Sequence, residues 1–343
     1  MRKKLLIRAD GNANIGAGHI MRCMSIGTAA RELNMDVCFV TADESFLTVL
    51  NNNHFYVRVL HSDYARMEDE LDDFLSILHE EKPESIILDS YYVTFKYMET
   101  LRRYSKLIYI DDVLSFPYPT DILINYNIYA SEKQYADLYL NYELPKMLLG
   151  CGYVPLREEF QTSKVIGIRN DVKSVLFSAG GADPERIALR FVKSVISNRA
   201  FCDITFHIVM GSFEPDKEEI ENISIVHKKI VTHSNVSRMS DLMLQCDMAV
   251  SAAGSTLYEL CACGVPTVTY VLADNQIPGA TKFANLGIMI NAGDDRHDGN
   301  LIDNIIQEIT NVCLDVEKRR NMQTKGLAFI DGKGAKKIVQ EIM

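Results

Sequence analysis

Residues 9–23 read ADGNANIGAGHIMRC. The stretch follows an apolar run, Leu5-Leu6-Ile7. It leads into Ile20, Met21, Met24, Ile26, Ala29, Ala30 and Leu33, which recur at helical spacing. A strand, a glycine loop and a helix in that order form a turn that can hold a phosphate on backbone N–H groups. His19 stands at the mouth of the turn, in the first turn of the predicted helix.

The same alternation continues outward. DVCFVTA (36–42), YVRVL (56–60), SIILDS (85–90), LIYIDD (107–112) and DILINY (121–126) read as strands. Between them lie helix-like segments, ESFLTVLNNN (44–53), ARMEDELDDFLSILHEE (65–81) and TFKYMETLRRY (94–104). In the second of these, Met67, Leu71, Phe74, Leu75 and Leu78 share one face. Repeated βα units with apolar strands predict a parallel sheet covered on both faces. Residues 146–173 break the pattern, and a linker is predicted around 155–170.

Alternation then resumes. SVLFSAGG (174–181) reads as a strand entering a glycine turn, and DPERIALRFVKSVI (183–196) as a helix with Asp183 at N-cap and Pro184 at the first position. DITFHIVMG (203–211), ISIVHKKI (223–230), MAVSAAG (248–254) and PTVTYVL (266–272) read as strands, STLYELCACG (255–264) as a short helix. Residues near 300–325 are helical, and a final helix is predicted over 326–343. The expected domains are 1–158, 159–325 and that last helix, packing back toward the first domain. Two doubly wound α/β domains bind ligands in the crevice at the carboxyl ends of their strands.

The chain has 343 residues, with 36 Lys and Arg against 46 Asp and Glu, a net charge of -10. An acidic surface argues against non-specific binding to nucleic acid or anionic membranes, so an anionic ligand must be held by backbone N–H groups and helix ends. Cys23, Cys38, Cys151, Cys202, Cys246, Cys261, Cys263 and Cys313 form no CxxC pair and no zinc-ligand spacing, which predicts a reducing compartment. The N-terminal apolar run is too short for a signal peptide, and no stretch approaches the roughly 18 apolar residues of a membrane span. A cytoplasmic protein without membrane insertion is expected.

Two phosphate fingerprints fail in the opening stretch. Gly16 and Gly18 give G-x-G, but Met21 stands where the third glycine belongs. Gly11 and Gly16 have Walker A spacing, but Ala17 and Gly18 replace its Lys and Ser/Thr. What remains is a turn that lets a ligand approach backbone, with His19 either a helix-end histidine or a general base. A helix N-terminus disfavours the imidazolium, which suits a base. A second turn lies in SAAGSTLYELCACGVPTVTYVLADNQ (251–276). Ser255 and Thr256 could cap the following helix. Glu259 reads either as the end of a Thr256-x-x-Glu259 capping box or as a carboxylate for ribose hydroxyls. Asp111-Asp112 reads as a polar turn or a metal-binding pair. His54, His61, His79, His207, His227, His233 and His297 show no metal-ligand spacing, and Met21, Met24, Met239, Met243 and Met248 sit at core positions.

Eight ordered segments, IRADGNANIGAGHIMRC, ILDSYY, IDDV, DILINYN, LLGCGYVPLREEF, SAGGADP, SAAGSTLYELCACGVPTV and ADNQ, span residues 7–276. In them the chain resembles the PseG family, UDP-2,4-diacetamido-2,4,6-trideoxy-β-L-altropyranose hydrolases of pseudaminic acid biosynthesis, related to MurG-type glycosyltransferases. The resemblance implies a GT-B fold, two facing Rossmann-like domains with a central cleft. It implies hydrolysis of a UDP-sugar at the anomeric carbon with inversion, with no metal and no cofactor. By position, His19 resembles the catalytic base, and Tyr91 (or the adjacent Tyr92) and Asn275 resemble residues lining the sugar pocket. Glu259 resembles the ribose-binding glutamate. Gly254, Ser255 and Thr256 resemble the diphosphate turn, and Gly16 and Gly18 the facing glycine loop. Arg22, Gly180, Gly181 and Gln276 complete the expected substrate-binding set. A glycosyltransferase on the same scaffold, a hydrolase of a related UDP-amino-sugar and an idle nucleotide-sugar binding module are the rival readings.

Overall fold

The computed structural model describes residues 2–12, 14–161, 165–180, 183, 185–211, 214–297 and 299–343. They divide into two compact units, Met1–Arg157 with Gly332–Met343, and Glu158–Asp331.

Unit 1 carries strands β1 (Lys4–Ala9), β2 (Asp36–Thr41), β3 (Tyr56–Val59), β4 (Ser85–Asp89), β5 (Lys106–Ile110), β6 (Ile122–Asn125) and β7 (Lys146–Leu149). Its helices are α1 (Gly18–Glu32), α2 (Leu47–Asn52), α3 (Leu71–Glu81), α4 (Phe95–Arg102) and α5 (Glu132–Leu138). All seven strands are parallel, in the order β3-β2-β1-β4-β5-β6-β7. The central strands are apolar because helices cover both faces. Leu6, Val40, Ile86 and Leu88 pack against Phe74 and Leu78 of α3 and Tyr97 and Leu101 of α4. Thr94 starts α4 by accepting the Tyr97 N–H at 3.1 Å.

Unit 2 repeats the plan with β8 (Ser174–Ser178), β9 (Thr205–Met210), β10 (Ile230–Ser234), β11 (Met248–Ala252), β12 (Thr267–Val271) and β13 (Met289–Asp294). Its helices are α6 (Glu158–Gln161), α7 (Ile187–Ser197), α8 (Lys217–Val226), α9 (Met239–Gln245), α10 (Thr256–Ala262), α11 (Ile277–Asn285), α12 (Leu301–Leu314) and α13 (Val316–Phe329). The parallel order is β10-β9-β8-β11-β12-β13. Phe177, Val250, Val268 and Tyr270 pack against Phe191 and Val192 of α7 and Ile305 and Ile309 of α12. Helix α14 (Gly334–Ile342) returns to unit 1, where Lys106 Nζ donates to the Ile342 carbonyl at 2.9 Å.

Strand order reverses between β1 and β4 in unit 1, and between β8 and β11 in unit 2. Ligands of doubly wound sheets bind outside the carboxyl ends of the strands at such a switch point. Both glycine-rich turns of the sequence lie there.

The structure corrects several expectations. ISIVHKKI is not a strand: α8 runs to Val226, with Ile220 buried and Ile223 packed beside it one turn on, and β10 begins only at Ile230. Helix α7 starts at Ile187, not at 183. Asp183 nonetheless accepts the N–H groups of Ile187 (3.0 Å) and Ala188 (2.7 Å), and Pro184 lies outside the described residues. The last predicted helix is broken: α13 ends at Phe329, Gly332 takes φ +72, and a new helix starts at Gly334. Strands β7 and β13 and helix α5 carry no clear periodic signal. β7 is a four-residue edge strand, and β13 contains Asn291 and Gly293 and pairs irregularly with β12.

Candidate active site

Unit 1 builds its site from β1, β4 and β5. After β1 the chain turns back on itself: Asn12 and Gly16 exchange backbone hydrogen bonds at 3.2 and 2.8 Å. Asn12 Oδ1 accepts the N–H groups of Asn14 (2.9 Å) and Ile15 (3.1 Å). Gly16 takes φ +73, a left-handed conformation open to glycine at little cost. The turn delivers His19 to the first turn of α1, where it is buried.

His19 Nδ1 lies 2.6 Å from Asp89 Oδ1, at the carboxyl end of β4. Asp89 is fully enclosed. Burial alone would raise its carboxyl, but Arg22 foremost and then His19 outweigh this and hold it far below the usual carboxylate range. Arg22 also brings a terminal nitrogen to 3.0 Å from Nδ1, but the shorter contact is to Asp89, and an ionised carboxylate only accepts, which puts the hydrogen on Nδ1 and the lone pair on Nε2. Nε2 has no partner among the described residues, and His19 lines a pocket with Asp10, Ile15, Asp89, Ser90, Tyr91 and Tyr92. Asp89 also stabilises the imidazolium that forms when Nε2 takes a proton. The dyad therefore does more for a general base than the helix end anticipated from sequence.

Arg22 braces the dyad. Nε donates to Asp89 Oδ2 at 2.6 Å, one terminal nitrogen to Asp89 Oδ1 at 2.5 Å, and the other to the Tyr126 hydroxyl at 2.8 Å and Asp112 Oδ2 at 3.3 Å. Arg22, expected to bind substrate, meets the protein groups Asp89, Asp112 and Tyr126 in this structure. Tyr91 packs its ring edge-on against His19, centroids 4.6 Å apart, and donates its hydroxyl to Asp112 Oδ2 at 3.1 Å. Tyr92 packs against Tyr64 at 5.5 Å. Both tyrosines line the pocket, and Tyr91 is the one in contact with the histidine.

Asp111 lies in a polar turn. Its Oδ1 accepts Val113 N–H (2.9 Å), Leu114 N–H (3.1 Å) and the Tyr118 hydroxyl (2.9 Å), and its Oδ2 the Tyr135 hydroxyl (2.7 Å). Among the described residues no group of three or more His, Cys, Asp or Glu is arranged to hold a metal, and no helix is long and apolar enough to cross a membrane.

Unit 2 presents backbone at its switch point. Gly180 takes φ +92, and a side chain built on Gly180 or Gly254 would meet nothing within 4 Å. Gly181 lies outside the described residues. Ser255 is the N-cap residue of α10, but its side chain makes no capping bond. With Ser255 at N-cap, Glu259 is the fourth helical residue, one beyond capping-box spacing, so that reading is corrected. Asn275 sits exposed in a 3-10 turn, Asp274–Gln276. Arg296 braces the turn through Asp274 at 2.7 Å. Gln276 Oε1 accepts the Leu272 N–H at 2.8 Å.

The structure thus brings His19, Arg22 and Tyr91 together in unit 1, while Gly254, Ser255, Thr256, Glu259, Asn275 and Gln276 belong to unit 2. The sequence reading missed Asp89 and the role of Asp112. Their signal is present: SIILD and KLIYIDD end central parallel strands in carboxylates, where sheets of this order hold ligands.

Residues 175–342 match the glycosyltransferase family 28 C-terminal domain. The spore coat polysaccharide biosynthesis protein SpsG of Bacillus subtilis is 24% identical over 96% of this chain and 94% of its own length. The UDP-2,4-diacetamido-2,4,6-trideoxy-β-L-altropyranose hydrolase of Campylobacter jejuni is 24% identical over 83% of this chain and 97% of its own. A Helicobacter pylori protein named as pseudaminic acid cytidylyltransferase and the same hydrolase is 27% identical over 84% of this chain and 48% of its own. The chain spans about half the length of that relative and of another that it matches. The crystal structure of MurG from Acinetobacter baumannii superposes with TM-score 0.70 at 10% identity, over 100% of this chain and 99% of that one. The chain therefore has the GT-B fold, its residues 175–342 match the glycosyltransferase family 28 C-terminal domain, and relatives so named bear out its resemblance to the PseG hydrolases.

Proposed function

We propose that the protein hydrolyses a UDP-linked 2,4-diacetamido-2,4,6-trideoxy hexose to free sugar and UDP, in pseudaminic acid biosynthesis. The observation that carries this reading is the His19–Asp89 dyad at 2.6 Å on a glycine-flanked turn, with a ring nitrogen that has no partner among the described residues. Water gives a proton to His19 Nε2, and its oxygen bonds to the anomeric carbon. The bond from that carbon to the β-phosphate oxygen breaks, its electron pair leaves with UDP, and the configuration inverts. Gly16 and Gly18 let the substrate approach backbone. In this reading Gly254, Ser255 and Thr256 meet the diphosphate, Glu259 the ribose, and Tyr91 and Asn275 the sugar. The diphosphate charge rests on backbone N–H groups, so dialysis against a chelator leaves activity intact.

Turnover of a panel of UDP-sugars in ¹⁸O water tests the reaction. Label on the free sugar supports attack at carbon; label on UDP overturns it in favour of attack at phosphorus. The family 28 domain match favours one other reading, transfer to an acceptor hydroxyl. UDP release only after an acceptor is added would establish that reading instead.

A further inference from the structure

We infer that Asp112 is a positioning residue that sets the polarity of the Tyr91 hydroxyl. Tyr91 Oη and His19 Nε2 then offer the pocket two hydrogen-bond acceptors, matched to the two O–H groups of one water molecule. That this water is the nucleophile rests on the hydrolase reading above.

A tyrosine hydroxyl has one hydrogen and two lone pairs, and a carboxylate oxygen only accepts. Tyr91 spends its hydrogen on Asp112 Oδ2 at 3.1 Å. Arg22, which only donates, holds the same oxygen at 3.3 Å. Tyr91 is thereby left as an acceptor toward anything else it meets. A phenol keeps its hydrogen near neutral pH, so the hydroxyl remains a donor to Asp112. His19 follows the same logic: Asp89 takes the Nδ1 hydrogen at 2.6 Å, and Nε2 is left as an acceptor.

The chain closes on itself. His19 binds Asp89, Asp89 binds Arg22, Arg22 binds Asp112, Asp112 binds Tyr91, and Tyr91 packs against His19. His19 and Tyr91 line one pocket. A water that donates to both has its own lone pair free for an electrophile. An alcohol has one O–H and can fill only one acceptor, so the pair favours water as nucleophile.

Steady-state UDP release and ¹³C-tyrosine NMR test this together. Asp112→Ala is expected to lower kcat by about 10- to 100-fold, the worth of a charge-assisted hydrogen bond, with KM within about threefold. Asp112→Asn keeps an oxygen acceptor beside Arg22 and is expected to recover most of kcat. In a Tyr91→Phe background, Asp112→Ala is expected to add little further loss. Additive losses, or an Asn variant as poor as Ala, overturn the proposal. The Tyr91 Cζ resonance, identified by its disappearance in Tyr91→Phe, is expected to shift in Asp112→Ala and stay near its native position in Asp112→Asn. An unmoved resonance in Asp112→Ala overturns the proposal without reference to turnover. If the native protein releases UDP from no UDP-sugar, the hydrolase reading falls, and the resonance alone decides the hydroxyl polarity.

Discussion

In unit 1, the turn after β1 and the ends of β4 and β5 deliver side chains: His19, Asp89, Asp112 and Tyr91, with Arg22 joining them from α1. In unit 2, the turns after β8 and β11 occupy the same place in the same strand order and deliver backbone, at Gly180 and Gly254. Topology fixes where a ligand can sit and leaves open what meets it. Charged side chains around a buried histidine suit proton transfer, and open glycine backbone suits an anion. The comparison predicts that substitutions in unit 1 act on turnover and those in unit 2 on nucleotide affinity.

The largest expected effect is at His19. On the proposed reading, His19→Ala lowers kcat by about 10²–10⁴, roughly 3–5.5 kcal/mol of barrier. UDP affinity, measured by calorimetric titration, stays within several-fold. A variant with near-native turnover, or one that loses UDP binding in step with turnover, breaks the contrast between the units.

Asp89 tests whether the side-chain site also stabilises unit 1. Asp89→Ala leaves Arg22 without its main carboxylate partner, and breaking a buried pair in this way costs about 3–5 kcal/mol. Thermal unfolding reads that cost. The native carboxyl is held below its unfolded value, so its pairing contributes fully above about pH 4 and is lost as pH falls below that range. Acid unfolding of Asp89→Asn is expected to be less steep than that of the native protein.

Much of this was legible in the sequence, because parallel strands buried on both faces read as apolar runs. Leu5-Leu6-Ile7, SIILD and MAVSA declare themselves in that way, and the glycines and His19 mark the loop between strand and helix. What was not legible depends on partners distant in sequence. Asp89 lies 70 residues from His19, and Asp112 lies 90 from Arg22. Nothing local distinguishes either from a polar turn. Arg22 reads from sequence as a substrate-binding residue, and its bonds to Asp89 and Asp112 depend on the same distant partners. The capping-box spacing at Thr256 misled because the helix starts with Ser255, not Thr256, at its N-cap.

Glu259 sharpens the comparison from the other side. If it holds the ribose, Glu259→Ala weakens UDP binding by about 1.5–3 kcal/mol, the range of a hydrogen bond to a charged group. The kcat at saturating substrate then changes little. A variant that binds UDP normally but turns over slowly would move Glu259 into the catalytic group and blur the division.

The smallest effects are the most discriminating, because they separate glycines needed by the fold from glycines needed by a ligand. Gly16 and Gly180 take φ +73 and +92, where an alanine is strained whatever space surrounds it. Gly16→Ala and Gly180→Ala are each expected to cost about 1 kcal/mol in thermal unfolding. Gly18 and Gly254 have no such conformation, and an added side chain at either meets nothing within 4 Å. Gly18 also opens α1, where alanine is the better helix former by up to about 1 kcal/mol. Gly18→Ala should therefore melt at or above the native temperature, and Gly254→Ala within about 0.5 kcal/mol of it. A glycine standing where alanine would serve the fold as well or better points to something that must come close to the backbone. On the proposed reading, Gly18→Ala lowers turnover and Gly254→Ala lowers UDP affinity, each in a protein that is no less stable. Full activity in Gly18→Ala would show that the space above the first turn of α1 is not used by the substrate, and the histidine would then have to act on a ligand that enters from the Tyr91 side of its pocket.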